Sequence, residues 1–481
     1  MKSGGLGEIS WSLPAALHEA GVDVRVLVPA YAPLLAAFPG AKPLAELAPP
    51  DGELPAARLL EARTDGGVPL LLLDCPAFFL RAGSAYLDAD GNDFADNHLR
   101  FGLLSNIAAL LSSMASPLHW RPDVLHCNDW PCGLAPAYLH FMKGARAATV
   151  MSIHNLAFQG IFPADTLSAL GLPPAAFAMD GVEFWGKLSF MKAGLHYADR
   201  ITTVSPRYAE EIQTEAFGYG FAGLLRWRRD DLTGILNGID TKTWNPAADP
   251  YLPRHYEFAH LKGKEANKAA LRQRFGLAAD ASSPLLGAVC RITQQKGLDL
   301  LLGIGDEITL IPAQLVLLGT GDKGLETALS SLVERHPGQF AVRIGFDDGL
   351  AHLVEAGSDI FLMPSRFEPC GLNQMYSLRY GTPPLVRNTG GLADTVVDCN
   401  DATLANGTAN GFVFDDATPE ALLVTIRRAV AAWHDKALWH KLQRNGMVLD
   451  FSWSNAATAY RAIYAELSLK MKTAGKTHPA A

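Results

Sequence analysis

Two positive side chains follow a strongly apolar segment in the second half of the chain. Arg291 and Lys296 stand in the sequence RITQQKG, directly after LLGAVC. Arginine presents a planar fork of donors and lysine a point charge, so the pair suits the two phosphates of a diphosphate. The alternative is a pair of solvated surface charges. The loop Gly319–Asp322, which follows the next apolar segment, favours a diphosphate site over solvated surface charges.

A longer segment, PSRFEPCGLNQMYSLRYGTPPLVRNTGGLADTV, combines a carboxylate with two glycine turns. Glu368 follows the apolar strand DIFLMPS, and a helix is expected to begin near Gly371. Unpaired backbone N–H groups at a helix start can bind a phosphate or a sugar hydroxyl. These amides belong to Cys370, Gly371 and Leu372 in the first turn, and a second helix is expected to open at Thr389 and Gly390.

Polar residues also follow two apolar strands in the first half of the chain. His154 and Asn155 end the strand AATVMSIH, and Asp129 lies in HCNDW at the end of another strand. In parallel sheets, functional residues lie at the carboxyl ends of strands. A single histidine at a strand end is usually structural, but two strand ends with polar clusters favour a site.

A glycine-rich segment, KSGGLG, begins at Lys2 and includes Gly4 and Gly5. Glycines let backbone N–H groups approach a phosphate, although so short a run is also typical of a plain tight turn. Such a loop normally follows a strand. Only Met1 precedes it here, so we expect the first strand of the N-terminal domain to be missing and hypothesise a gene model that starts late.

The elements that must position these residues form two series of apolar strands alternating with helices. This alternation predicts an α/β protein with two Rossmann-like doubly wound domains facing a cleft, and 481 residues are too many for one core. We predict a first domain at 1–236, a second at 237–453, irregular surface chain at 241–266, and a helix at 454–470 that packs back on the first domain before a disordered tail from 473. Strands are predicted at 22–29, 70–75, 123–129, 148–154, 200–205, 232–238, 285–291, 314–321, 340–346, 359–365, 384–388 and 411–415.

Composition excludes several classes of protein. A net charge of −8 argues against a nucleic-acid binder, which would carry a basic stripe. No apolar run reaches the roughly 18 residues of a membrane span, and no signal-peptide pattern is present, so we expect a cytoplasmic protein. The six cysteines show no zinc-ligand spacing, and we expect reduced thiols, no metal site and no cofactor.

The motifs together resemble those of bacterial glycogen synthases and plant starch synthases, which are retaining two-domain glycosyltransferases of the GT-B type. The resemblance covers nearly the whole chain through KSGGLGE, HCNDW, SIHN, TVSPRYAEEI, GILNGIDTKTWNP, RITQQKG and SRFEPCGLNQMYSLRYGT. Tyr376 stands eight residues after Glu368, where other retaining relatives usually have a second glutamate, and this resembles the synthase branch. KSGG in place of the commoner KTGG is a mild departure.

The resemblance implies a role for each residue of the donor site. Arg291 and Lys296 would neutralise the phosphates of ADP-glucose and the charge that develops on the leaving group. Glu368 would hold the glucosyl hydroxyls, helped by the amides of Cys370, Gly371 and Leu372.

Further roles follow from the same resemblance. His154 would bind the region of the glucose 6-hydroxyl, with its carbonyl near the anomeric carbon, and Asp129 and Asn237 would position the sugar. Phe346 would lie against the adenine, unless it is a core residue. Lys2, Gly4 and Gly5 would contact the diphosphate and the sugar.

The implied reaction transfers glucose from ADP-glucose to the non-reducing 4-hydroxyl end of an α-1,4-glucan with retention of configuration. One alternative is another enzyme on the same scaffold, either a glucan phosphorylase with pyridoxal phosphate on Lys296 or a sugar-nucleotide epimerase. Another is a non-catalytic glucan- or nucleotide-binding protein, or a truncated and inactive synthase. The expected partners are ADP-glucose and glycogen, with no nucleic acid and no membrane.

Overall fold

The computed structural model describes residues 4–48, 52–280 and 282–476. Within these ranges the chain forms two compact units. Unit 1 contains the described residues up to Ile235 together with the last helix, from Trp453, and unit 2 is Leu236–Ser452. The sequence predicts the corresponding boundaries after residues 236 and 453.

Unit 1 is built around two four-stranded sheets and a small three-stranded sheet. Its strands are β1 (Val26–Pro29), β2 (Lys42–Leu47), β3 (Ala57–Arg63), β4 (Pro69–Asp74), β5 (Val124–Asn128), β6 (Ala148–Ile153), β7 (Ile161–Phe162), β8 (Glu183–Phe184), β9 (Lys187–Ser189), β10 (Arg200–Thr203) and β11 (Leu232–Gly234). Its helices before the linker to unit 2 are α1 (Gly4–Glu19), α2 (Ala32–Ala37), α3 (Pro76–Phe79), α4 (Asn97–Leu111), α5 (Ala135–Phe141), α6 (Thr166–Ala169), α7 (Phe190–Tyr197), α8 (Pro206–Glu211) and α9 (Ala222–Trp227).

The sheet that carries the strand-end cluster of unit 1 is parallel and has the order β11-β10-β6-β5. Every residue of β6 is buried, as expected for a strand covered on both faces. The other large sheet has the order β1-β4-β3-β2 and is parallel only between β1 and β4. Strands β2 and β3 and the small antiparallel sheet β7-β9-β8 are not predicted from the sequence. β2 has mostly exposed side chains and so lacks the apolar run that marks the parallel strands.

Unit 2 contains one six-stranded sheet, which is parallel throughout. Its strands are β12 (Leu285–Val289), β13 (Gln314–Gly319), β14 (Phe340–Ile344), β15 (Ile360–Met363), β16 (Pro384–Arg387) and β17 (Phe412–Phe414). Its helices are α10 (Lys262–Phe275), α11 (Leu298–Leu302), α12 (Gly305–Ile308), α13 (Lys323–Arg335), α14 (Asp348–Gly357), α15 (Asn373–Arg379), α16 (Gly390–Thr395), α17 (Asp401–Ala405), α18 (Pro419–His434) and α19 (Lys436–Met447).

The strand order β14-β13-β12-β15-β16-β17 confirms the predicted doubly wound fold in unit 2. The chain builds the sheet outward from β12 to β14 and then crosses back to β15, which pairs with β12. Where the connections from two neighbouring strands run in opposite directions along the sheet, a crevice forms at the carboxyl ends of those strands. Ligands bind there in such sheets. The loops after β12 and β15 therefore start beside each other.

The last helix, α20 (Trp453–Lys476), belongs to unit 1 and packs against α1. Apolar residues three or four positions apart on both helices share one buried cluster, as expected for amphipathic helices. The predicted disorder from residue 473 is wrong for the described part, because α20 continues to Lys476. The buried residues that α1 and α20 contribute are Ile9, Leu13, Leu17, Trp453, Ala456, Ala457, Tyr460, Ile463 and Leu467.

The linker that precedes α10 is irregular and mostly exposed, as predicted for 241–266, but α10 already begins at Lys262 and a few linker residues are buried in unit 2. Trp244 stacks between His352 and Tyr376, with ring centroids 3.8 Å away on each side. Asp249 is buried and accepts a hydrogen bond from Tyr380 at 2.5 Å. The linker is therefore held in the core of unit 2 by aromatic stacking, which its turn-rich sequence does not reveal. Across the described ranges, no helix is both long and apolar enough to cross a bilayer.

Candidate active site

A partly buried ion pair lies at the carboxyl ends of β12 and β15. Lys296 Nζ is 2.5 Å from Glu368 Oε2, and Ser365 donates its hydroxyl to the same carboxylate oxygen at 3.0 Å. Glu368 is only 6% exposed. A buried carboxylate is costly unless it is paired and hydrogen-bonded, and Lys296 and Ser365 supply both contacts.

The two loops that carry this pair are tied to each other by their backbones. The amide of Arg366 donates to the carbonyl of Gln295 at 2.8 Å, and the Arg366 guanidinium pairs with Asp299 at 2.5 Å. Gly297 has a φ of 68°, and any Cβ there would collide with the carbonyl of Pro364. Only glycine allows this approach. The relative position of Lys296 and Glu368 is therefore fixed before any ligand binds.

The turn after Glu368 directs backbone amides away from the core. Gln374 is fully buried, and its Nε2 donates to the carbonyls of Cys370 at 3.1 Å and Gly371 at 3.0 Å. In a trans peptide the N–H points opposite to the C=O. The amides of Gly371 and Leu372 therefore point away from Gln374. Helix α15 begins at Asn373, two residues later than predicted, because Gly371 has a φ of 68°.

Cys370 and Asn237 contact each other in this turn. Burial raises the pKa of the Cys370 thiol to about 12, while hydrogen bonds from Asn237 act in the opposite direction. The thiol is therefore neutral at ordinary pH, and only the backbone of Cys370 is suited to a ligand. Asn237, which is 4% exposed, supports the turn through these hydrogen bonds.

The second glycine turn supports Glu368 from the other side. Thr389 is the N-cap of α16, which begins at Gly390 as predicted. Gly390 has a φ of 46°, and a Cβ there would collide with the Glu368 carbonyl. The amide of Gly391 donates to that carbonyl at 3.2 Å. The amides at the start of α16 are expected from the sequence to bind a ligand, but the amide of Gly391 instead holds the Glu368 backbone.

Two further residues of the predicted donor site are exposed. Arg291 makes no ion pair or side-chain hydrogen bond with any residue that the structure describes, and its side chain is exposed. Phe346 follows β14 and is 84% exposed, so the alternative of a core phenylalanine is wrong. Both side chains are available to a ligand.

In unit 1, the strand ends of β5 and β6 are joined through Asp129. Its carboxylate accepts the backbone amides of His154 at 2.9 Å and Asn155 at 3.4 Å. Asp129 has a φ of 59°, a strained conformation for a residue other than glycine. Burial raises its pKa to about 7, and the two amides partly offset this effect.

The imidazole of His154 lies beside these groups and is neutral. Burial lowers its pKa to about 3, and the nearby His126 lowers it further. Its Nε2 contacts Asn128 Oδ1 at 2.9 Å, which assigns the proton to Nε2. Nδ1 is buried and has no hydrogen-bond partner among the described residues. It is thus an open acceptor for a ligand hydroxyl.

His126 and Tyr376 stand near these sites in the sequence but have structural contacts. His126 contacts Tyr464 Oη at 2.7 Å and Ser152 Oγ at 2.6 Å, so it joins β5 to α20 and β6. Tyr376, at the position where other retaining relatives have a second glutamate, is 6% exposed and stacks on Trp244.

The remaining predicted residues lie at the start of the chain. Gly4 and Gly5 form the first turn of α1, and Lys2 lies outside the described residues. Within the described ranges, no group of three or more His, Cys, Asp or Glu side chains is arranged to hold a metal ion.

Sequence reasoning missed two residues that support the site, Ser365 and Gln374. Ser365 ends a strand in a segment already singled out, so its position was a usable signal. Gln374 lies inside a helix and is recognisable only from its contacts.

These features define a class of protein. Two units with parallel sheets, a lysine–glutamate pair with amide turns in one and a strand-end imidazole in the other are the parts of a two-domain glycosyltransferase. A family model for the starch synthase catalytic domain matches residues 1–227, and one for group 1 glycosyl transferases matches 270–446.

Comparison with individual proteins gives the family. The chain is 57% identical over 470 residues to a glycogen synthase of Nitrosospira multiformis, covering 97% of this chain and 94% of the relative. A glycogen synthase of Dechloromonas aromatica is 57% identical over 464 residues, covering 96% and 95%. The chain belongs to the glycogen and starch synthase family, and its function is that of a glycogen synthase rather than of a non-catalytic binding protein.

A solved structure agrees with this assignment. The catalytic domain of starch synthase IV from Arabidopsis thaliana, bound to ADP and acarbose, matches with a TM-score of 0.86 and 31% identity, covering 97% of this chain and 96% of that one. A sucrose-phosphate synthase from Thermosynechococcus elongatus, at 18% identity and a TM-score of 0.58, shares the fold. The predicted GT-B fold is confirmed.

Proposed function

We propose that the protein transfers glucose from ADP-glucose to the non-reducing 4-hydroxyl of an α-1,4-glucan with retention of configuration. The observation that carries this proposal is the partly buried Lys296–Glu368 pair, flanked by outward-facing amides. It combines a cation for a phosphate with acceptors and donors for a sugar.

In the donor site, Lys296 and Arg291 bind the diphosphate and stabilise the negative charge that develops as ADP leaves. Lys296 contacts both a phosphate and Glu368. The carboxylate of Glu368 binds the glucosyl hydroxyls. The amides of Gly371 and Leu372 add hydrogen bonds, Thr389 and Gly390 contact the donor at the start of α16, and Phe346 offers its exposed ring to the adenine.

In unit 1, the neutral His154 accepts a hydrogen bond from a glucosyl hydroxyl through Nδ1. Asp129 fixes the backbone of His154, so that its carbonyl is held for the anomeric centre. The roles of Lys2, Gly4 and Gly5 at the diphosphate are part of the same proposal.

Retention proceeds by front-face attack, in which the acceptor hydroxyl enters on the side from which the phosphate leaves. Support comes from Glu368, whose carboxylate is already paired with Lys296 and Ser365, and from Asp129, whose carboxylate holds two backbone amides. Neither is placed as an unencumbered nucleophile. Trapping of a covalent glucosyl-enzyme in a single turnover would contradict this mechanism.

The decisive experiment incubates the protein with radiolabelled ADP-glucose or UDP-glucose and glycogen. We expect incorporation mainly from ADP-glucose, release of the label by an α-1,4-specific exo-amylase, and loss of incorporation in Glu368→Ala. Preference for UDP-glucose would overturn the donor assignment, and incorporation from neither would overturn the reaction. A cytoplasmic location also belongs to this proposal.

A further inference from the structure

Three residues other than glycine have a positive φ in the described parts of the chain: Asp129, Trp185 and Tyr219. Asp129 is at the candidate active site. Strained backbone of this kind tends to occur where function requires it. Trp185 and Tyr219 lie on the surface of the same unit, and both are aromatic.

Trp185 occupies the turn of the β8–β9 hairpin. Phe184 pairs with Lys187, so Trp185 and Gly186 form a two-residue turn, and both have positive φ, at 52° and 77°. This turn type favours Asn-Gly, and a bulky residue is unfavourable at its first position. The Trp185 side chain is nonetheless 82% exposed. Neither backbone preference nor burial explains a tryptophan here.

The hairpin that presents Trp185 is anchored firmly. The amide of Gly186 donates to Glu183 Oε1 at 2.6 Å. The buried Lys192 donates its ammonium to the carbonyl of Met179 at 2.7 Å and to the carbonyl of Glu183. Contacts of this kind reduce the entropy lost when a ligand binds.

Tyr219 lies next to this turn. The ring of Phe184 stacks on Phe221 at 4.3 Å, which joins the hairpin to the segment that contains Tyr219. A Cβ on Gly220 would be 2.8 Å from the Phe184 ring and 3.5 Å from Trp185 Nε1. Trp185 and the 39%-exposed Tyr219 thus form one aromatic surface, here called the Trp185–Tyr219 platform.

The platform is connected to the strand end that carries His154. The chain leaves β6 through His154, and Gln159 then donates its side-chain amide to the carbonyl of Tyr219 at 2.8 Å. Phe158, between them, is half exposed. One exposed aromatic ring therefore lies on the segment that connects the polar cluster to the platform.

We propose that the Trp185–Tyr219 platform binds an α-1,4-glucan chain at glucose units remote from the one that is extended. This inference rests on the proposed function, since the polymer substrate supplies the ligand. Glucose units are uncharged and have one face of C–H groups, which packs on an aromatic ring, while their hydroxyls stay in water. Rings held on a fixed hairpin match such a ligand better than they match a charged one.

The test compares Trp185→Asn with the wild type for affinity to glycogen, measured by electrophoresis in glycogen-containing gels. Asparagine suits a positive φ and precedes Gly186 in the favoured turn pair, so the hairpin should keep its fold. We expect the dissociation constant for glycogen to rise about five- to tenfold, and the KM for glycogen to rise similarly. If the platform binds only remote glucose units, the rate with saturating maltotriose should stay unchanged.

Three further variants make the test specific. Trp185→Phe should restore most of the affinity, and Tyr219→Asn should weaken it as Trp185→Asn does. Trp227→Ala removes another exposed tryptophan of unit 1, 71% exposed, and should have no effect. Wild-type affinity in both Asn variants, or an equal loss in Trp227→Ala, would overturn the proposal. Failure of the proposed function would look different: no transfer from either nucleotide sugar, whatever the affinity for glycogen.

Discussion

The two strand-end regions of this protein are built on similar parallel sheets but differ in electrostatics. At the switch point of unit 2, Lys296 and Glu368 form a partly buried ion pair, and Arg291 is exposed nearby in sequence. In unit 1, burial shifts His154 and Asp129 toward their neutral forms, with pKa values of about 3 and about 7.

The difference shows how one sheet type serves two kinds of ligand. A diphosphate is bound by cations, and unit 2 offers Lys296, which is paired with Glu368, and the exposed Arg291. A sugar hydroxyl requires directional neutral donors and acceptors, and unit 1 provides them by burying titratable groups. If this contrast is correct, the effects of substitutions on activity and stability will differ between the two regions, both in size and in pH dependence.

The largest effect is expected from breaking the ion pair. Glu368→Ala and Lys296→Ala should each lower kcat/KM for transfer from ADP-glucose by at least about 10²-fold, because each removes a charged group that positions the donor. Since the residues are in contact, the double variant should lose much less than the product of the single losses. Arg335→Ala is the control, because its ion pair with Asp306 is exposed on the surface of unit 2. Initial rates near the wild-type value would place the site elsewhere.

The next effect concerns the stability of unit 1. The pKa of Asp129 is about 7 in the folded protein against 3.8 as its ordinary value, so the folded state binds more protons between these values. Wild-type stability should therefore fall as pH rises from about 4 to about 7 and then level off. Asp129→Asn keeps a carbonyl acceptor for the His154 amide and removes this dependence. By pH 8 we expect it to gain on the order of 2–4 kcal/mol over the wild type.

Denaturant unfolding at pH 5 and pH 8 measures this difference. Asp199→Asn is the matched control with the opposite sign. Although burial raises the pKa of Asp199, hydrogen bonds from Arg146 and Thr149 lower it overall. That variant should lose stability at pH 8. A gain for Asp129→Asn that is the same at both pH values would show that Asp129 is already ionised at pH 5.

A smaller effect is expected at His154. His154→Ala should lower kcat/KM about tenfold, the loss expected for one neutral hydrogen bond and the positioning that it gives. Because burial lowers the His154 pKa to about 3, the imidazole stays neutral from pH 5 to pH 8. The ratio of wild-type to variant rates should be constant over that range. A ratio that changes near pH 6.5 would mean that an imidazolium acts in the reaction.

The smallest effect is expected at Phe346. Phe346→Ala should raise the KM for ADP-glucose by about two- to fivefold and leave kcat nearly unchanged, since an exposed ring contributes only stacking. Phe346→Tyr keeps the ring and should match the wild type. Equal donor KM values in all three proteins would remove Phe346 from the adenine site.

The parallel strands could be predicted from the sequence, because buried parallel strands are continuous apolar runs of neighbouring residues. The turns at Gly371 and Gly390 could also be predicted from the sequence, and both glycines have a positive φ. The antiparallel strands β2 and β3 escaped prediction because β2 exposes most of its side chains.

The contacts between residues that are distant in the chain could not be predicted in this way, because they depend on the folded arrangement of the strands and helices. Lys296 and Glu368 are 72 positions apart, and their pairing depends on β12 and β15 being neighbours in the sheet. Trp185 and Tyr219 meet because Phe184 stacks on Phe221. The neutrality of His154 likewise follows from burial by several elements. Charge state and contact depend on surroundings that only the folded chain assembles, whereas apolar runs and glycine turns are properties of neighbouring residues.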